Sequence, residues 1–212
     1  MKLVGLLGTK GVGKDTVADY IVSRYNVEKR AFASPIKEAC AILFQLPIGR
    51  FEGEDKEVCD AHHELSPRQM MQLVGTDFFR DQVCQDFWID HFKKWYAARD
   101  PSRPVVVTDV RFQNEVDVIK ALGGEVVRLI RPHKGSGRHT MSDLHVTETG
   151  VAELQGVDAT IENDGSLEEL YGKVNETMAV REKWSWIYFE ELYDKSTTSI
   201  GAVIELKKFG QR

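Results

Sequence analysis

Apolar positions along the chain fall into two alternating patterns. Three short runs, "KLVGLLG" (2–8), "PVVVTDV" (104–110) and "EVVRLI" (125–130), are rich in branched side chains. They are too continuous for strands with one wet face, so they predict buried parallel strands. "KRAFAS" (29–34) and "DATIEN" (158–163) are weaker members of the same set. Between these runs the spacing changes. Val17, Ala18, Ile21, Val22 and Tyr25 recur with the helical period, and Trp88, Ile89, Phe92, Trp95 and Tyr96 mark another apolar helix face. "SPRQ" sets Ser66 as N-cap, Pro67 at the first helical position and Gln69 three residues after the cap, so a helix starts there. "SLEE" repeats the capping signal at Ser166, ahead of Leu167, Leu170, Tyr171 and Val174, and Gly123-Gly124 ends a helix that begins near Asn114.

Strand and helix units in this order predict an α/β fold, a mostly parallel five-stranded sheet flanked by helices. Two stretches break the rhythm. Residues 35 to about 103 form a long helical excursion between the second and third strands, and 131–150 form a polar segment with Gly and His. An inserted substrate-binding region and a short lid belong in such places. Residues 1–180 are expected to form one domain carrying both, with 181–212 an aromatic-rich extension packed on it or continuing it.

Composition narrows the possible partners. With 212 residues, 42% of them hydrophobic, the chain is able to bury a sizeable core. A net charge of -5 and a pI near 5.7 argue against a duplex-DNA footprint, though a local site for small anions remains compatible. The three cysteines, Cys40, Cys59 and Cys84, are widely spaced with no secretory leader before them, which points to the reducing cytoplasm. "CDAHH" (59–63) has no second ligand pair at finger-like spacing and reads as a loop, and no apolar run approaches a membrane span.

The strongest chemical signal is "GTKGVGKDT", Gly8 to Thr16, directly behind the first strand. It completes the pattern G-x-x-x-x-G-K, and Gly11 adds a third glycine. Glycines let backbone N–H groups turn inward around phosphate oxygens, the helix that follows presents its N-terminal dipole, and Lys14 bridges terminal phosphates. The usual Ser or Thr after the lysine is replaced by Asp15, with the hydroxyl one place later at Thr16. Thr16 is then the candidate for the phosphate-binding role, while Asp15 is either a magnesium contact, direct or through water, or an acid placed for the helix dipole.

Acceptor candidates lie elsewhere in the chain. Asp109 ends the third predicted strand, where open α/β sheets place ligands, and either orients magnesium and an acceptor or caps the next helix; Arg111 follows it toward the same cleft. Arg68, Gln72, Thr76 and Arg80 recur every four residues as a polar stripe beside Gly75, opposite apolar Met70, Val74 and Phe78. That stripe lacks the mixed Glu and Lys character of a solvated face, and arginine suits bidentate phosphate recognition. Lys37 stands where the excursion begins and is within the region that would reach an acceptor phosphate. In the lid segment Arg131, Lys134 and Arg138 surround Gly135 and Gly137, as suits cations closing over a transferring phosphoryl group, while His145 and Glu148 either hold that lid or cap a helix.

Together "GTKGVGKDTVADYI", "ASPIKEA", "SPRQMMQLVGTDFFR", "TDVRFQNE", "RLIRP", "DLHVTE" and "IENDGSLEELY" resemble the bacteriophage-type deoxynucleoside monophosphate kinases, from Lys2 to about Val174. The resemblance implies a P-loop kinase fold, a homodimer, and ATP- and magnesium-dependent phosphorylation of deoxynucleoside 5′-monophosphates for DNA precursor supply in the host cytoplasm. It implies that Gly8, Gly11, Val12, Gly13, Lys14, Asp15 and Thr16 hold the donor, that Arg68, Gln72, Thr76, Asp109 and Arg111 line the acceptor pocket, and that Arg131 and Arg138 belong to the lid. Lys10 is implied as a contact of the acceptor phosphate. Two other readings share the loop: a kinase of another small phosphorylated metabolite, such as dephospho-coenzyme A, and an ATP-dependent DNA-associated switch protein. The arginine stripe and "TDVRF" favour the nucleotide, and the acidic chain disfavours the switch.

Overall fold

The structure is a computed structural model that describes residues 3–132 and 150–179. Five strands, β1 Leu3–Leu7, β2 Glu28–Arg30, β3 Val105–Val110, β4 Glu125–Ile130 and β5 Ala159–Glu162, form one sheet in the order β2-β3-β1-β4-β5. Every pairing is parallel. β1 lies between β3 and β4 and is buried along its whole length, which is why its sequence shows no polar alternation.

Helices cover both faces of the sheet. On one, Val17, Ala18 and Ile21 of α1 (Lys14–Arg24) and Leu170 and Val174 of α6 (Leu167–Ala179) pack on Val4, Leu6 and Val127. On the other, Ile89 and Phe92 of α4 (Phe87–Ala98) and Val116 and Ile119 of α5 (Gln113–Ala121) pack on Leu3, Leu7 and Val105. Neighbours in β1 thus point to opposite faces, as strand geometry requires. The helical excursion has its own small core of Cys40, Phe51, Met70 and Val74, built by α2 (Ser34–Leu43), α3 (Pro67–Gln72), the turns between them and the helical stretch that continues from α3. Among the described residues no helix is long and apolar enough to cross a membrane.

The expected caps are present. Ser66 Oγ accepts from the Gln69 N–H and the Gln69 side chain accepts from the Ser66 N–H; Ser166 and Glu169 repeat this reciprocal box at α6. Two local expectations are corrected. β2 ends at Arg30 rather than Ser34, because the N–H groups of Phe32 and Ala33 turn to the carboxylate of Asp109 instead of a strand partner. The helix opened by Ser66 changes winding after Gln72 and continues as a π-helix, Leu73–Val83. Its i to i+5 bonding takes up more residues per turn. The apolar face therefore slips by one residue: Phe78 is 49% exposed, and Phe79 packs on Phe87 and Trp88 instead. The segment 133–149, most of the expected lid, and the extension 181–212 lie outside the described residues.

Candidate active site

β1 runs into the glycine loop, which turns at Lys10 and Gly11 and leads into α1 at Lys14. Gly13 is the N-cap of α1 and holds φ at 107°, a left-handed conformation; a Cβ there would also stand 2.7 Å from Asn163 Nδ2. Asn163, just past β5, donates from that same nitrogen to the Val12 carbonyl at 2.9 Å, so the loop is braced by the strand across the sheet. Lys14 is only 8% exposed and donates to the carbonyls of Gly8 and Thr9 at 2.6 and 2.8 Å. These bonds lay its side chain back along the loop, where it forms part of a cavity wall. Asp15 is exposed in the first turn of α1, 3.2 Å from Lys29, and also borders the cavity.

The cavity, about 320 Å³, opens between this loop, the end of β3 and the helical excursion. Arg68, Gln72, Thr76 and Arg80 all line it, so the polar stripe survives the change from α to π winding. Gly75 lets the π-helix approach α2, since a Cβ there would meet Ile36 Cδ1 at 2.7 Å, and its carbonyl accepts the Trp88 indole N–H at 2.7 Å. Two cations converge on one carboxylate: Lys10 reaches Glu57 Oε1 at 3.1 Å and Arg68 reaches the same oxygen at 2.7 Å. Burial works against the ionised form of Glu57, but the hydrogen bonds from Arg68 and Lys10 outweigh it and hold the carboxyl below its ordinary range. Neighbouring Lys56 is pushed down by burial and by the positive charges of Arg68 and Lys37.

At the end of β3 two carboxylates divide the work that sequence reasoning gave to one. Asp109 accepts from the N–H groups of Phe32 and Ala33 at 2.8 and 2.9 Å, which ties β3 to the start of α2; it does not cap the next helix. Glu115 does that, accepting from the N–H groups of Arg111 and Phe112 at 2.7 and 3.1 Å. Its other oxygen faces Arg80 at 3.1 Å, and the Arg80 guanidinium lies over the Phe112 ring at 3.8 Å. Burial raises the Asp109 carboxyl, with the two N–H bonds and the charges of Arg111 and Lys37 opposing. Burial, reinforced by the negative charge of Asp109, pushes Glu115 up to about 7 against its backbone bonds and Arg80.

That shift has a measurable sign. Between its ordinary value near 4.5 and about 7, Glu115 keeps a proton in the folded protein that the unfolded chain has released. The associated stability is fully present at the acid end of this window and is lost as the pH rises through the upper value. Glu115→Gln has no proton to lose there, and the fall in thermal midpoint from about pH 5 to about pH 7.5 is expected to be shallower in this variant. Equal slopes in the two proteins would refute the assignment.

Of the residues singled out from sequence, Lys10, Gly11, Lys14, Asp15, Lys37, Arg68, Gln72, Gly75, Thr76, Asp109 and Arg111 meet around the cavity. Gly8, Val12 and Gly13 shape the loop behind it, Thr16 stands half-buried in the first turn of α1 outside its lining, and Arg131 is exposed beyond β4 and does not line it. Arg138, Lys134, His145 and Glu148 lie outside the described residues. Sequence reasoning missed Glu57, Glu115 and Asn163 as supporting groups, and Lys56 and Phe112 as lining ones. Glu115 had a readable signal, an acid at the third position of the helix after "TDVRF". "GEDKE" around Lys56 and Glu57 had none.

The family model "Deoxynucleotide monophosphate kinase" matches residues 2–48 and 46–174 of this chain. A protein of Acanthamoeba polyphaga mimivirus carrying that family name is 36% identical over 187 residues, which span 82% of this chain and 94% of the relative. The deoxynucleotide monophosphate kinase of Enterobacteria phage T4 is 28% identical over 249 aligned positions, covering 85% of this chain and all of the phage protein. Among solved structures, shikimate kinase from Bacteroides thetaiotaomicron aligns with a TM-score of 0.47 at 11% identity, over 84% of this chain and 96% of that one.

Proposed function

Because this chain belongs to the deoxynucleotide monophosphate kinase family, we propose that it transfers the γ-phosphoryl group of ATP to a deoxynucleoside 5′-monophosphate through the cavity between the glycine loop and the arginine stripe. The observation that carries this reading is the charge of that cavity. Lys10, Lys14, Lys37, Lys56, Arg68, Arg80 and Arg111 line it against Asp15, Asp109 and Glu115, in a chain whose net charge is -5. A local excess of cations between a phosphate-type loop and a second polar wall suits two phosphorylated ligands meeting end to end. Family membership favours this reading over the metabolite kinase and the DNA-associated switch.

In the reaction, an oxygen of the acceptor phosphate forms a bond to the γ-phosphorus while the bond from that phosphorus to the β–γ bridging oxygen breaks, leaving ADP. We assign Gly8, Gly11, Val12, Gly13 and Lys14 to the donor phosphates. Lys10, Lys37, Arg68, Gln72, Gly75, Thr76, Asp109 and Arg111 are assigned to the acceptor, and the lid cations Arg131 and Arg138 to neutralising charge during transfer. Bound magnesium supplies charge neutralisation on the phosphates. Asp15, Thr16 and Asp109 are the groups that would hold it, directly or through water. An ionised phosphate is already a nucleophile, so Asp109 is needed for orientation and not as a general base. Residues 35–103 serve as the acceptor-binding region of a kinase domain spanning 1–180.

The test is ADP release, measured with ATP, magnesium and each deoxy- and ribonucleoside monophosphate in turn, with products identified by chromatography. Diphosphates formed from deoxynucleotides are the expected result. Binding of ATP without phosphorylation of any nucleotide would overturn the acceptor assignment.

A further inference from the structure

The excursion segment that carries Glu57 is separated by 47 positions from Lys10, yet one oxygen of this carboxylate takes both Lys10 Nζ at 3.1 Å and Arg68 at 2.7 Å. Lys10 belongs to the glycine loop and Arg68 to α3, so the two cations come from separate elements that both line the cavity. Like charges on separate elements repel, and without a shared anion they would move apart. Both line the cavity, whereas Glu57 does not. Its neighbour Lys56, in the same short turn (Asp55–Glu57), does line the cavity. Arg68 brings two nitrogens, Nε and Nη2, to the same Glu57 oxygen, each at 2.7 Å.

We propose that Glu57 is a positioning residue that yokes Lys10 of the donor loop to Arg68 of the acceptor helix, setting them as one paired seat for the acceptor phosphate. This rests on the assignment of Lys10 and Arg68 to the acceptor. A single carboxylate shared by Lys10 and Arg68 leaves the pair short of negative charge, which an acceptor phosphate supplies. The carboxylate also sets the distance between the cations before the nucleotide arrives, so its loss weakens acceptor binding more than it slows transfer at saturation.

The experiment is steady-state kinetics of the full chain with Glu57→Ala, Glu57→Gln, Arg68→Ala and the Glu57→Ala/Arg68→Ala pair, the acceptor and ATP being varied separately and thermal midpoints checking the fold. Glu57→Ala is expected to raise the acceptor KM by roughly tenfold, while the ATP KM and kcat stay within about threefold. Glu57→Gln, which keeps an acceptor oxygen but no charge, is expected to fall between wild type and Glu57→Ala. Arg68→Ala should add less in the Glu57→Ala background than in the wild type. An unchanged acceptor KM in both folded Glu57 variants, with Arg68→Ala raising it, overturns the yoke and leaves the acceptor site standing. A lowered KM overturns it too, by showing that Glu57 competes with phosphate for the cations. If Arg68→Ala itself leaves the acceptor KM unchanged, the acceptor assignment fails and the yoke fails with it.

Discussion

Lys14→Ala is expected to lower kcat by a hundredfold to a thousandfold or so, the loss seen when a preorganised charge-stabilising donor is removed from a transition state. Lys14 combines the last position of the loop, the first turn of α1 and a wall of the cavity. Loose phosphoryl transfer leaves little covalent work for the protein, so positioned charge is its main contribution. The fold should survive. The lysine's bonds within the loop go to the carbonyls of Gly8 and Thr9, and losing both costs about 1–3 kcal/mol. Turnover at saturating substrates, beside a thermal melt, makes the check: a folded variant of undiminished activity would remove Lys14 from the chemistry.

The largest loss of stability is expected from Glu115→Ala. Glu115 is almost fully buried, holds the N–H groups of Arg111 and Phe112 just ahead of α5, and pairs with an Arg80 side chain that is itself only 11% exposed. Above about pH 7, where Glu115 is ionised, its removal leaves the Arg80 guanidinium without this counter-charge, an effect of about 3–5 kcal/mol. At roughly 2–4 °C per kcal/mol for a chain of this size, the thermal midpoint should drop by some 6–20 °C. Arg80→Ala/Glu115→Ala should then lose clearly less than the two single losses together, because the stranded charge is gone. Strict additivity of the two substitutions would show that the ion pair contributes nothing as a pair.

Much of this architecture was legible from local patterns. The five strands lie within about four residues of their expected ends, and both Ser caps form because a capping box depends on side chains only three residues apart. The glycine loop was readable for the same reason: strand, turn and helix are consecutive, so spacing alone carries the geometry. The stripe from Arg68 to Arg80 was found, yet its supposed apolar opposite was wrong at Phe78, because an α-helical period was applied to a segment that winds as a π-helix. Asp109 was correctly located at the cavity, but its partners were not foreseen, since they arise from a chain segment 76 and 77 positions away.

The sequence by itself determined the fold class, the order of strands and helices, the caps, the position of Lys14 and the family, all of which depend on near neighbours or on a contiguous motif. Tertiary structure alone decided which polar groups meet: Glu57 between Lys10 and Arg68, Arg80 against Glu115, and Asn163 behind Val12, 151 positions distant. Such pairs have no period and no fixed spacing. They form when the parallel sheet brings distant segments to one end, and burial there makes a charge or an amide adopt whichever partner lies within reach.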